Sequence, residues 1–264
     1  MKKFTLSAIS GWILLSALLL PAAAEPQAAF SWYCRHTADG TQPECDASMR
    51  FIEQYDGFYI DHRHSDPAAQ EKVIYLTFDA GYENGNVAKI LDVLRDEEVP
   101  GCFFVLKHLV DSHPELIRRM AAEGHLIGNH TASHHDMTKV HSAEAFQAEL
   151  AALRDAVQSL GVEAAPYYRP PEGRFSEENL RFAQDAGYKT IFWSYGYVDW
   201  DNERQMSPHD AMEKILGGVH NGEVLLLHPT SATNAAILRD LIHALRERGF
   251  RFGTMDALTA PGEG

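Results

Sequence analysis

The chain has 264 residues, 45% of them hydrophobic, enough to bury a full core in one large or two small α/β domains. Its formal net charge of −14 argues against nucleic acid or an anionic membrane surface as the main partner, because both repel an acidic protein. A polyanionic wall polymer would be repelled at long range as well, so any recognition of sugar has to be local.

The first residues read as a secretory leader. Lys2 and Lys3 form a basic end, an apolar run follows at 13–20, and Ala22-Ala23-Ala24 offers a small-residue cleavage site before Glu25. The expectation is a signal peptide at 1–24 and a protein secreted or held in the cell envelope, with no stable membrane insertion after cleavage. The run is short for a stable span, and an uncleaved anchor is the alternative. Residues 25–72 are irregular, with Trp32, Tyr33, Phe51, Tyr55, Phe58 and Tyr59 scattered through them. They read as an extension that packs its aromatics on the main domain, since an independent unit of that size would be marginal. Cys34 and Cys45 bracket a short loop in this segment, where a disulfide and two free thiols are both open. Cys102 sits in an apolar run and reads as a small buried hydrophobe.

From residue 73 a regular alternation begins. The β-branched and aromatic run 73–78 ends at Asp79 and Gly81, and 87–98 follows as a helix with Ile90, Leu91 and Leu94 on one face. A strand at 102–106, a helix at 114–123 and a short strand at 126–128 come next. Ser142 caps a long helix to Leu160 with Glu144 in its first turn. Tyr167-Tyr168 leads into Arg169-Pro170-Pro171, and Ser176 caps a helix that ends at Gly187. A strand at 189–194 precedes Ser207-Pro208, a cap followed by proline at the first helical position. The continuous apolar run 224–227 suits a strand buried on both faces. A helix at 234–248 and a strand at 251–254 complete the pattern. Strands alternating with helices predict a parallel α/β sheet or barrel.

Such folds collect their chemistry at strand ends. His130 and His134, four apart in Asn129-His130-Thr131-Ala132-Ser133-His134-His135, share one face of a helix or tight turn, a usual spacing for two metal ligands. Asp79, Arg169, Asp199-Trp200 and His228 each follow a strand or extended run. Singly, each has an ordinary structural role: a helix cap, a surface cation, a turn residue, a satisfied core histidine. Together they supply a carboxylate base, a cation partner, an imidazole acid and a metal pair, the components of a hydrolytic site.

In Thr77-Phe78-Asp79-Ala80-Gly81-Tyr82, His130-Thr131-Ala132-Ser133-His134, Arg169-Pro170-Pro171-Glu172-Gly173, Asp199-Trp200 and Leu225-Leu226-Leu227-His228, the chain resembles the polysaccharide deacetylases, the NodB-homology or carbohydrate esterase family 4 enzymes. Five motifs in order span residues 73–258, leaving 259–264 as a tail. The submotifs Gly81-Tyr82-Glu83-Asn84-Gly85, Arg174-Phe175-Ser176 and Phe192-Trp193-Ser194 look most like the peptidoglycan N-acetylmuramic acid deacetylase branch. The resemblance implies a distorted (β/α) barrel of about seven parallel strands and a monomeric hydrolase that removes N-acetyl groups from cell-wall glycan. It also implies roles: Asp79 as general base, His228 as general acid, Arg169 holding the base ionised and Asp199 orienting the network. Trp200, Leu226, Pro170, Glu172 and Tyr82 would bind substrate, with the backbone N–H of Glu172 meeting the oxyanion. His130 and His134 would hold a divalent zinc, cobalt or manganese ion. The family pattern places a second aspartate where this chain has Ala80, which has no ligand atom, so metal affinity is expected to be weak. Chitin or xylan is the alternative substrate class, and an inactive glycan-binding barrel the alternative outside enzymes.

Overall fold

The computed structural model describes Met1 and residues 28–261, so the expected leader and the end of the expected tail lie outside the described residues. The N-terminal arm contributes β1 (Phe30–Ser31) and β2 (Gly57–Phe58), joined through a 3₁₀ segment at Ala47–Tyr55 that Asp46 caps. Then come β3 (Lys72–Ala80), α1 (Val87–Asp96), β4 (Cys102–Val105), α2 (Lys107–Ser112), α3 (Pro114–Ala122) and β5 (Leu126–Asn129). The middle of the chain forms α4 (Ala143–Ser159), β6 (Tyr167–Tyr168), β7 (Arg174–Phe175), α5 (Glu177–Asp185), β8 (Lys189–Ile191) and β9 (Tyr195–Gly196). It closes with α6 (Pro208–Gly218), β10 (Glu223–Leu227), α7 (Ala232–Glu247), β11 (Phe250–Phe252) and α8 (Met255–Thr259). Ser142, Ser176 and Ser207 accept a backbone N–H at the starts of α4, α5 and α6, the caps their positions in the sequence call for.

The main sheet is parallel, with strand order β2-β8-β6-β5-β4-β3-β10-β9 and β11 on the first residues of β3. The stretch 189–196 pairs with β6 through its first half and with β10 through its second, so one extended segment brings the two ends of the sheet's path together. The result is the parallel α/β architecture that the alternation implied, curled as the family resemblance implied. It has nine strands rather than about seven, because that segment counts twice and the arm supplies β2.

Side-chain alternation sorts the core. Ile74, Leu76, Phe78 and Ala80 of β3 pack outward with α1, α3 and α7 in the largest apolar cluster, while Val73 and Tyr75 belong to a second cluster with Cys102, Phe104 and Val224. Thr77 and Asp79 continue that inner face, so the strand ends with a carboxylate at the mouth of the curl and an alanine behind it. The arm is not a separate core. Trp32 stacks on Phe192 at 4.5 Å between ring centres, and Phe30 stacks on Phe175 at 5.5 Å. Among the described residues, no helix is long and apolar enough to cross a membrane.

Candidate active site

At the carboxyl ends of the strands a cleft of about 860 Å³ opens, lined by Asp79, Tyr82, His130, His134, Glu172, Trp200, Leu226 and His228 among others. These eight are sequence candidates that the fold brings to one place. Three more stand behind the surface: Arg169 is fully buried, Asp199 is 1% exposed, and Pro170 is buried beside the cleft without lining it.

Arg169 is the anchor. Its Nη1 donates to Asp79 Oδ1 at 2.8 Å, Nη2 to Thr77 Oγ1 at 2.9 Å and to the Phe192 carbonyl at 3.1 Å, and Nε to the Ile191 carbonyl at 3.0 Å. The guanidinium also lies over the Phe104 ring, 4.2 Å from its centre. A cation held on every side fixes the position and charge of the carboxylate it pairs with. Burial pushes the Asp79 carboxyl up, but the charge and hydrogen bond of Arg169, with the neighbouring imidazoles adding to them, more than offset it and hold it below the usual range.

The His228 side is built the same way. His228 Nδ1 donates to Asp199 Oδ1 at 2.7 Å, and the His228 backbone N–H reaches Oδ2 of the same carboxylate at 2.8 Å. Asn234 Nδ2 also donates to Asp199 Oδ2, at 2.6 Å, and Tyr197 donates to Asn234 Oδ1. The His228 ring is thereby held in one tautomer with Nε2 free. Burial pulls its pKa down, but the hydrogen bond and charge of Asp199, with Asp79 beyond, win and raise it. A raised pKa keeps the acid form present to higher pH, and it is lost as pH rises through that value. Asp199→Asn is therefore expected to move the alkaline limb of the pH–rate profile downward; an unmoved limb would show that Asp199 does not set the charge of His228.

The histidine stretch is an open turn, not a helix. Asn129 Oδ1 accepts from the Thr131 N–H at 2.9 Å, and Thr131 Oγ1 accepts from the His134 N–H at 2.9 Å. Of the five described non-glycine residues with positive φ, three belong to this mouth: Thr131, His134 and Glu172. Such backbone persists only where surrounding bonds over-determine it, as they do here. The rings of His130 and His134 sit 5.0 Å apart. His130 Nδ1 lies 2.9 Å from the Arg169 carbonyl, which can only accept, so Nδ1 carries the proton. Burial pushes the ring's pKa down to about 4, which leaves Nε2 a lone pair at neutral pH.

His130 Nε2 lies 3.6 Å from Asp79 Oδ2, two electron-rich atoms on largely buried side chains. A shared cation suits this arrangement, and two imidazole nitrogens with an adjacent carboxylate are ordinary donors for a divalent ion. A tight three-ligand set is not built: among the described residues only the exposed trio His209, Asp210 and Glu213 brings one donor each within 4.8 Å of one another. Ala80 faces the apolar cluster and adds nothing. Ala80→Asp is expected to melt below the parent without metal, by about 3 kcal/mol, because the new carboxylate is buried without a partner. Adding zinc, cobalt or manganese should raise the parent's melting temperature and leave this deficit in place, because the new carboxylate faces away from the two histidines, and His130→Ala should abolish the parent's rise. Equal responses from all three proteins would mean that the two histidines do not hold the ion.

Four functional positions were not apparent from the sequence: Thr77, Asn129, Tyr197 and Asn234. Thr77 alone carried a signal, a polar residue two before Asp79 on the same strand face. Tyr197 and Asn234 have partners far apart in sequence, and Asn129 acts through a local bond to the Thr131 N–H that its residue type alone does not announce.

A family model described as polysaccharide deacetylase matches residues 66–191, which takes in the Asp79, His130 and Arg169 motifs but stops short of Asp199 and His228. The peptidoglycan-N-acetylmuramic acid deacetylase PdaA of Bacillus subtilis (strain 168) is 38% identical over 248 residues, 93% of this chain and 92% of that protein. A chitooligosaccharide deacetylase of Rhizobium leguminosarum bv. trifolii is 36% identical over 196 residues, 69% of this chain and 89% of its own. The solved structure of Bacillus subtilis PdaA, a family 4 carbohydrate esterase, superposes with a TM-score of 0.82, covering 89% of this chain and 98% of that one.

Proposed function

As the chain belongs to the polysaccharide deacetylase family, we propose that it removes N-acetyl groups from cell-wall glycan, with the N-acetylmuramic acid of peptidoglycan as its substrate sugar. One observation carries this reading. Asp79 and His228 line one cleft, the first paired with Arg169, which favours its carboxylate form, and the second hydrogen-bonded to Asp199, which favours its acid form, and amide hydrolysis calls for a base and an acid so disposed.

Asp79 takes a proton from water as the water oxygen attacks the acetyl carbonyl. The developing oxyanion is met by the backbone N–H of Glu172, whose left-handed conformation (φ 55°) belongs to the turn at the cleft wall. His228 Nε2 then gives its proton to the sugar nitrogen as the C–N bond breaks, releasing acetate and the free amine. A divalent ion bound by His130 and His134 would polarise the acetyl carbonyl and offset the charge gathered on its oxygen. Leu226, Trp200 and Tyr82 present the apolar and aromatic surface that suits the faces of a sugar ring. Recognition of this local kind is compatible with the acidic net charge.

The muramic assignment rests on the match to PdaA along nearly the whole chain, arm included. An inactive binding barrel would have no use for a carboxylate paired with a buried cation beside an imidazole paired with a buried carboxylate. Outside the cytoplasmic membrane is where such a substrate lies, in keeping with the expected leader. Acetate release from purified peptidoglycan strands, with Asp79→Asn as the blank, tests the activity; release from chitin oligomers in place of peptidoglycan would overturn the substrate.

A further inference from the structure

In the N-terminal arm, Cys34 and Cys45 are direct partners in an antiparallel bridge. Residues so opposed have Cα atoms about 4.5–5.5 Å apart, within the span that a disulfide requires. Both are sheltered, Cys45 fully and Cys34 in part, and burial raises both thiol pKa values, that of Cys34 to about 12. Thiols in that state attack poorly once the fold is complete, so bond formation belongs to the folding stage. Cys102, on β4 inside the curl, lies in a different cluster.

The bridge ties together two anchored pieces of chain. Within the loop it closes, Gln42 Nε2 donates to the carbonyls of Asp61, His64 and Asn221 at 2.7, 3.1 and 3.0 Å, gripping the base of the barrel. Just before it, β1 pairs antiparallel with β7, and Trp32 donates from its backbone N–H to the Gly173 carbonyl and from Nε1 to the Trp193 carbonyl, each at 2.8 Å. A Cβ at Gly173 would lie 2.8 Å from the Trp193 ring and 3.1 Å from Trp32 Cβ, so the arm packs directly behind the turn that carries Glu172.

We propose that Cys34 and Cys45 are joined by a disulfide that clasps the arm onto the barrel behind the Glu172–Gly173 turn. One cysteine thiolate attacks a sulfur of a small-molecule or protein disulfide, forming a mixed disulfide and releasing one reduced thiol. The second cysteine displaces the other thiol. One S–S bond forms, two S–H bonds are lost, and the oxidant takes up the two electrons and two protons.

The test refolds the full-length chain from denaturant in a glutathione redox buffer, then denatures it and labels free thiols with a maleimide. One labelled thiol, Cys102, is expected. Trypsin cuts after Arg35 and Arg50, placing Cys34 and Cys45 on separate peptides that should run as one species until reduced. Three labelled thiols, or Cys34 recovered as a glutathione adduct, would overturn the disulfide. The oxidised protein should melt on the order of 5–10 °C above both its reduced form and Cys34→Ser. Equal melting of the three would overturn the clasp. Neither readout depends on the substrate.

Discussion

Asp79→Asn is expected to release acetate from cell-wall glycan on the order of 10²–10⁴-fold more slowly than the parent protein, the usual cost of losing a general base. The amide keeps the shape of the side chain, and its oxygen can still accept from Arg169 Nη1, which meets Asp79 Oδ1 at 2.8 Å. What it loses is the capacity to take a proton from water. Arg169 stays held by Thr77 and the carbonyls of Ile191 and Phe192, so unfolding should remain cooperative. A loss of activity with retained folding separates chemistry from structure. Near-parental acetate release from a folded Asp79→Asn would remove Asp79 from the mechanism.

Arg169→Met is expected to have the largest effect on stability. Methionine fills much of the volume and can pack on the Phe104 ring, but it leaves the Asp79 carboxylate buried without its cation and takes the donor from the Ile191 and Phe192 carbonyls, while the Thr77 hydroxyl keeps its bond to the Leu225 carbonyl. Breaking one side of a buried pair costs about 3–5 kcal/mol, a fall of roughly 6–20 °C in melting temperature for a chain of this size. The pH dependence has a definite sign. Arg169 holds the Asp79 pKa down, so the base form is present above that low value and is lost as pH falls through it. Without the cation the pKa rises, and the acidic limb of the residual activity moves upward. Arg169→Lys keeps the charge but not the planar fork, so it should recover part of the limb position and little of the stability. An unmoved acidic limb together with parental melting would mean that the pair at 2.8 Å is not what sets the state of the base.

Much of this site was legible in the sequence because it sits at strand ends, and strand ends are marked by where apolar runs stop. Asp79 is the last residue but one of β3 and His228 follows β10 directly, so each could be placed from the run before it. The turn at His130–His134 was harder. Its conformation depends on positive φ at Thr131 and His134, residue types that do not advertise it, and on a bond from Asn129. The stretch expected as one strand at 189–194 bends after Ile191. The Phe192 N–H goes to the Phe58 carbonyl while the Ser194 N–H goes to that of Val224, an exchange of neighbours that leaves the apolar pattern unchanged. α2 escaped notice because only Leu109 and Val110 of its six residues are buried, too few to show a period. Asn234 was read as a helix start; its role depends on the distant Asp199, which no local pattern encodes. At the C-terminus, α8 runs across the boundary expected between catalytic domain and tail, with Leu258 and Thr259 both buried.

The function proposed for this cleft is deacetylation of the muramic acid of peptidoglycan. Its most direct test is mass spectrometry of peptidoglycan strands incubated with the protein, digested to disaccharides and fragmented to assign each acetyl group. One acetyl group per modified disaccharide should be lost, from the muramic acid, and none from strands treated with Asp79→Asn. Acetyl loss from the glucosamine, or fully acetylated strands after treatment with the parent protein, would contradict it.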